Sequence, residues 1–223
     1  MKPLRREKIK WTPDLAYVVG LITSDGCLYN DGRHLSITSK DRDLLNTVKK
    51  ILGLKVKIGY KTSGFSDKKY LHLQFGDVKL YKWLRGLGLT PKKSRTIGCL
   101  KIPNKYFFDF LRGLFDGDGC FYSYWDKRWK SSFMFYVNFC SASKEFLEWL
   151  RKMLLKNARV KGCLKPGNKV LILEFAKKEG LKIIKGMYKN LNAPCLARKK
   201  DKIIRAFQEG EIKIPACFIA KIK

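Results

Sequence analysis

The chain has 223 residues, 45% of them hydrophobic, and sets 48 Lys and Arg against 19 Asp and Glu, for a net charge of +29. That much apolar residue supports a packed core and excludes a disordered polymer. A chain so far from neutrality repels itself and calls for a polyanionic partner, nucleic acid first and an anionic membrane surface second. No stretch reaches the roughly 20 apolar residues that span a bilayer, and the N-terminal MKPLRREKIK has no apolar run of a secretory signal. The expectation is therefore no membrane association, and a location in the cytoplasm (the nucleoid of a prokaryote) or an organellar matrix. Seven cysteines at 27, 99, 120, 140, 163, 195 and 217 form no CxxC and no Cys/His ligand spacing, which predicts reduced thiols and no zinc site.

In chain order, Thr12 can cap a helix that starts at Pro13 and runs to about Ser24, with Gly26 suited to the residue beyond its end. CLYNDGRHLSIT reads as a hairpin turning at Asp31-Gly32. It places Leu28, Leu35 and Ile37 on one face and Tyr29, His34, Ser36 and Thr38 on the other. A helix follows over about 40–52, with Leu44, Leu45, Val48, Ile51 and Leu52 at helical spacing. A second hairpin turns Val56, Ile58, Leu71, Leu73 and Phe75 to the core and Lys55, Lys57, Lys61, His72 and Gln74 away from it. A helix over about 77–88 ends near Gly88.

The same order then returns. Asp25-Gly26-Cys27 recurs as Asp118-Gly119-Cys120, SKDRDLL (39–45) as SKEFLEWL (143–150), and YLHLQF (70–75) as VLILEF (170–175). The offset between copies drifts at the places expected to be hairpin loops, the mark of a duplication with local insertions. The second copy predicts a helix at about 105–117, a longer hairpin at 120–141, a helix at 143–155, a hairpin at 159–175 and a helix at 177–190, before a terminal helix near 200–209. The fold class is α+β: two pseudo-twofold-related αββαββα repeats, each a four-stranded antiparallel sheet backed by helices. The N-terminal repeat with its basic arm takes 1–97, a linker 98–104, and the C-terminal repeat with its terminal helix and tail 105–223. An antiparallel sheet can leave one face to solvent. In the second half that face would carry Tyr122, Tyr124, Tyr136, Asn138, Arg159, Lys161 and Lys165. Two such basic faces side by side make a saddle wide enough for a duplex. Ordinary solvated lysines are the alternative, and the gathering of charge on one face favours binding.

Two carboxylates stand where helix physics disfavours them. Asp25 and Asp118 close their helices at the negative end of the dipole. Ala16, Gly20 and Ser24 form a stripe of small residues on the first helix, as Gly113 and Gly117 do on the second, and such stripes let helix backbones approach closely. Packed at the pseudo-twofold axis, the helices would bring both acids together. Like charges held close call for a cation between them. Mg²⁺ fits, because it accepts a few carboxylate oxygens and fills its other positions with water and phosphate. The helix-end carbonyls of Ser24 and Gly117 would assist.

VVGLITSDG and FLRGLFDGDG resemble the two dodecapeptide motifs of LAGLIDADG homing endonucleases in their single-chain form. The likeness extends to the αββαββα order, to IPNKYFFDFLRGLFDGDG leading into the second motif and to LTPKKS closing the first. The resemblance implies a monomer that lays a saddle of two sheets over a long double-stranded DNA site and hydrolyses both strands with Mg²⁺, leaving short 3′ overhangs. Mn²⁺ would substitute, and Ca²⁺ would support binding without cleavage. By position, Asp25 and Asp118 would be the metal-binding catalytic acids. Thr23 departs from the motif's usual first aspartate, which Asp116 keeps; Asp116 is read as structural.

A lysine can neutralise charge on the reacting phosphate. Lys93 and Lys199 are the candidates, with Lys92, Lys200, Lys40 and Lys144 left open. Lysines in loops and in the RREKIK arm would grip phosphates. His72, Gln74, Tyr29, Asn138 and Arg159 could read base edges in the major groove. His34 and His72 read as face residues without metal-ligand spacing. The aromatics of FYSYWDKRW suit a packed hairpin tip as well as a base-stacking platform. The rival function is an RNA maturase, with intron RNA as partner, or a non-cleaving transcription regulator on the same fold. An intein is not expected, since the chain starts at Met and ends KIK without splicing blocks.

Overall fold

The structure, a computed structural model, describes residues 9–63, 66–129 and 132–213, with the side chains of 63, 66 and 67 excepted. The arm at 1–8 and Cys217 lie outside these residues. Helix α1 (Pro13–Ser24) begins as its sequence requires, with Thr12 Oγ1 accepting from the Leu15 N–H at 3.0 Å. Strands β1 (Gly26–Leu28) and β2 (His34–Ser39) precede α2 (Arg42–Leu52), then β3 (Gly59–Ser63), β4 (Ser66–Gly76) and α3 (Val78–Leu87). After a single 3-10 turn at Asn104–Tyr106, the second copy runs α4 (Phe107–Asp118), β5 (Gly119–Trp125), β6 (Phe133–Ser141), α5 (Lys144–Ala158), β7 (Cys163–Pro166), β8 (Leu171–Ala176) and α6 (Lys177–Met187). Helix α7 (Ala197–Glu209) closes the described fold.

Each half forms one antiparallel sheet, in the orders β1-β2-β4-β3 and β5-β6-β8-β7. Register enforces the alternation read from sequence: Leu35 pairs Phe75 and Ile37 pairs Leu73, all four buried, while Ser36 pairs Gln74 and Thr38 pairs His72 on the opposite face. The helices pack on the apolar face. Three boundaries move. Residues 54–58 form no strand, so β3 starts at Gly59 and Lys55 and Lys57 precede the sheet. Arg159 caps α5 in the left-handed region (φ 53°), and Lys161 sits in the following loop, where its N–H donates to Glu179 at 2.8 Å. Neither of these last two is on the sheet, because β7 begins only at Cys163. Helix α7 starts at Ala197 and so takes in Arg198 and Lys199.

The centre of the molecule is the α1–α4 pair. Every residue of α1 from Ala16 to Thr23 is buried, as is α4 from Phe110 to Asp116, so neither helix turns a face to solvent over these spans. A Cβ on Gly20 would stand 2.1 Å from the Phe110 carbonyl oxygen, and one on Gly113 would stand 2.0 Å from that of Tyr17. The backbones touch directly. Asp116 ties the pair to the second half: its Oδ2 accepts from Tyr17 Oη at 2.8 Å and from the Leu196 N–H at 2.7 Å. Thr23, at the matching place in α1, donates through its hydroxyl back to the Val19 carbonyl of its own helix, at 2.7 Å.

Candidate active site at the paired helix ends

The close approach of α1 and α4 continues to their C-terminal ends. A Cβ on Gly117 would lie 1.9 Å from Ser24 Oγ and 3.2 Å from Asp25 Oδ2. Asp25 therefore rests against the residue next to Asp118, and the two acids share one site. Burial first and Asp118 second push the Asp25 carboxyl up to about 6, against the pull of Lys199, Lys93 and Arg198. Asp118 is raised as well, by burial first, against the pull of Lys93 and Lys199. Burial pushes Asp116 behind them up to about 6, against the hydrogen bonds from Tyr17 and Leu196 and the charges of Lys199 and Arg112.

Among the described residues no cluster of three or more His, Cys, Asp or Glu side chains could hold a metal. The donors here are two carboxylates and backbone carbonyls, oxygen throughout. That set suits a hard cation that completes its coordination with water and phosphate, as Mg²⁺ does, and does not suit zinc.

Lys93 and Lys199 meet the helix ends in matching ways. Lys93 Nζ donates to the carbonyls of Gly26 and, at 3.5 Å, Ser24. Lys199 Nζ donates to those of Phe115 (2.6 Å), Gly117 (2.9 Å) and Gly119 (2.7 Å). The carbonyls of Ser24 and Gly117 are among the orphan acceptors of their helix C-termini, and a cation there also relieves the dipole. Both ammonium groups have their pKa lowered, by burial first. The carbonyls of Ser24 and Gly117, expected to face a metal, thus already accept from lysine. An ammonium has three donors, and Lys199 spends all three on carbonyls.

The raised carboxyls carry a stability consequence. Between the usual value of 3.8 and about 6, folded Asp25 binds a proton that the unfolded chain does not, so this contribution favours folding at low pH and is lost as pH rises through about 6. Asp25→Asn should therefore raise the melting temperature in metal-free buffer at pH 8, with the gain fading below pH 4. Added Mg²⁺ should raise the melting temperature of the parent chain and not that of the variant, because only a ligand bound to the folded state stabilises it. Differential scanning calorimetry with EDTA or Mg²⁺ reads both effects.

Above the acids, the open sheet faces differ between halves. The first carries His34, bonded through Nδ1 to Asp31, and Thr38, whose Oγ1 lies 3.0 Å from His72 Nδ1. Gln74 and Lys61 are exposed there, and Tyr29 lies at the hairpin end with its ring edge-on to His34. The second carries a stack of Tyr122, Tyr124 and Tyr136, with Tyr122 and Tyr136 centroids 4.9 Å apart and 15° from parallel. Tyr122 Oη donates to Glu174 Oε2 at 2.8 Å, and Lys165 pairs with Oε1. Burial works against the Glu174 charge, but these hydrogen bonds outweigh it and hold the carboxyl below its usual range. Ser36 and Asn138 are on the open faces by register, yet only 4% and 8% exposed.

Sequence reasoning passed over Glu174 and the exposed Cys27 and Cys120 on these faces. The signal was available: Glu174 is the repeat partner of Gln74, and each cysteine follows its motif glycine by one residue in strand alternation. It also passed over Arg198, whose Nε lies 3.1 Å from both carboxylate oxygens of Asp41 and whose Nη2 lies 3.0 Å from Oδ2.

A family model described as the LAGLIDADG-like domain matches residues 12–75 and 107–179. The probable translation initiation factor IF-2 of Thermococcus kodakarensis is 33% identical over 139 residues, which cover 59% of this chain but only 11% of that protein. Among solved structures, the meganuclease I-AabMI bound to uncleaved DNA superposes with a TM-score of 0.61 at 15% identity, covering 91% of each chain. The N-terminal LAGLIDADG domain of DUF199/WhiA gives 0.55 at 16%, covering 87% of this chain and 86% of that one. I-DmoI in complex with DNA and Mn gives 0.50 at 19%, covering 78% and 96%. At such identities the likeness establishes the fold, two repeated units of helix-backed antiparallel sheet. Both central helices, with the sheets that follow them, fall inside the matched ranges, and the chain belongs to the LAGLIDADG-like domain family.

Proposed function

We propose that the chain is a site-specific double-strand DNA endonuclease that works as a monomer, seating a long duplex on its two open sheet faces. The observation that carries this reading is the pair of carboxylates at the abutting ends of α1 and α4, each raised by burial. A protein that only binds DNA gains nothing from two acids facing a polyanion. Asp25 and Asp118 would hold Mg²⁺, with Mn²⁺ as substitute, and the cation when bound supplies Lewis-acid stabilisation of charge on the reacting phosphate. The chain's own residues do the rest. Lys93 and Lys199 bind the carbonyls around each acid and so orient the carboxylates. Lys61 and Lys165 offer charge to the backbone, while Gln74, His72, Thr38 and Tyr124 present groups to base edges. Lys55, Lys57, Arg159 and Lys161, off the sheets, are suited to phosphate contacts at the flanks.

A non-cleaving nucleic-acid binder, of DNA or of intron RNA, is the second reading. The observation on its side is Lys199, whose donors are all spent on backbone carbonyls. Incubation with a plasmid library of candidate sites separates the two. Discrete double-strand cuts with Mg²⁺ and binding without scission in Ca²⁺ are the expected result. Tight binding to a structured RNA with no DNA scission in Mg²⁺ or Mn²⁺ would overturn the endonuclease reading.

A further inference from the structure

With the ammonium of Lys199 used up, the question is which cation beside Asp25 can meet a phosphate. Helix α7 has no counterpart helix in the first repeat, where the residues around Lys93 form turns. Its first turn presents Arg198 immediately before the half-buried Lys199, and Lys199 in turn reaches Gly117, the residue against which Asp25 lies. Arg198 is well exposed, at 59% of its side chain, and points across the repeats to Asp41.

Asp41 is unusual in its own right. It occupies the N-cap position of α2, where an aspartate normally accepts from N–H groups of its own helix. Here it makes no such bond. Both oxygens go to the Arg198 fork instead. Guanidinium has five N–H donors; Nε and one N–H of Nη2 serve Asp41, and among the described residues the others have no partner. A planar fork with one edge held by a carboxylate and the other edge open is preorganised for bidentate contact with phosphate. In the first repeat the residue preceding the capping lysine is also an exposed cation, Lys92.

We propose that Arg198 binds the nucleic-acid backbone phosphate lying over Asp25, with Asp41 as the positioning residue that holds the guanidinium edge-on to it. This rests on the reading of the chain as a duplex DNA binder and deepens it. It gives α7 a task, to deliver one lysine into the protein and one arginine out to the substrate.

The test uses the full chain and a DNA duplex selected by binding from a random-sequence pool in Ca²⁺. Affinity is measured against salt for the parent chain, Arg198→Ala, Arg198→Lys and Asp41→Ala. A lost phosphate contact lowers the slope of log affinity against log salt by about 0.9. Arg198→Ala should show that drop and Arg198→Lys should not, since the charge remains. Asp41→Ala breaks the same ion pair; it should keep the slope while affinity falls severalfold through lost orientation. An unchanged slope in Arg198→Ala, or an equal drop in Asp41→Ala, would leave Arg198 as an inter-repeat tie and overturn the proposal. Failure of the pool to yield any bound duplex would overturn it too. The endonuclease reading fails separately: a parent chain that binds the duplex but cuts neither strand in Mg²⁺ ends that reading, while the slopes still decide the role of Arg198.

Discussion

Asp118→Asn is expected to stop cleavage of both strands while leaving the duplex bound. The side chain keeps its size and loses its charge, so packing at the α1–α4 ends survives and the paired anionic site does not. Asp25 and Asp118 lie at one site rather than two, so a cation that both acids would hold would be lost to both strands together. Removing one preorganised charge-stabilising element costs on the order of 10²–10³ in rate, and losing half the acidic donor set should cost no less. Affinity in Ca²⁺ should stay within severalfold of the parent chain, because contacts on the sheet faces are untouched. Conversion of supercoiled plasmid to nicked and linear forms, followed by gel, is the measurement. Linear product from Asp118→Asn at the parent rate would remove that acid from the mechanism.

Gly113→Ala should be strongly destabilising for a single added methyl. The added Cβ would sit 2.0 Å from the Tyr17 carbonyl oxygen and 2.9 Å from its carbon, both backbone atoms in the buried stretch of α1. No rotamer relieves that contact, and the helices must separate. Alanine's better helix propensity contributes about 1 kcal/mol in the opposite direction, while forced overpacking in a tight core costs typically 1–3 kcal/mol and occasionally more. With backbone on both sides the clash prevails, and a net loss of about 2 kcal/mol is expected, read as a fall in the urea midpoint. Gly20→Ala, 2.1 Å from the Phe110 carbonyl oxygen, should behave alike. Gly86→Ala on α3 is the contrast: its Cβ meets nothing within 4 Å, so propensity acts alone and stability should rise.

That contrast marks what can be read along the chain. The stripe Ala16–Gly20–Ser24 against Gly113–Gly117 predicts a close helix pair because four-residue spacing puts small side chains on one face, and Gly20, Gly113 and Gly117 do meet the partner helix. The alternation in HLSITS and LHLQF predicts which side chains are buried, since a strand has a strict period of two. Boundaries were less legible. Lys55 and Lys57 continue the alternation on paper, but alternation does not supply the partner strand, and residues 54–58 pair with nothing in either sheet. Arg159 and Lys161 failed for a related reason: α5 runs on to Ala158, and its left-handed cap uses up the residues expected to start the strand.

The amino-acid sequence by itself determined the order of elements, the duplication, the helix pairing and the meeting of two acids, because each is written in short-range periodicity repeated twice. Only the tertiary structure decided what the basic residues around those acids do. Lys93 and Lys199 carry the same charge as their neighbours in the chain, yet their ammonium groups turn inward to helix-end carbonyls, while Arg198 is directed outward by Asp41 from the other repeat. Those contacts join residues far apart in sequence. No local pattern encodes them, since the direction of a long flexible side chain is set by which unsatisfied partner the folded backbone brings within reach.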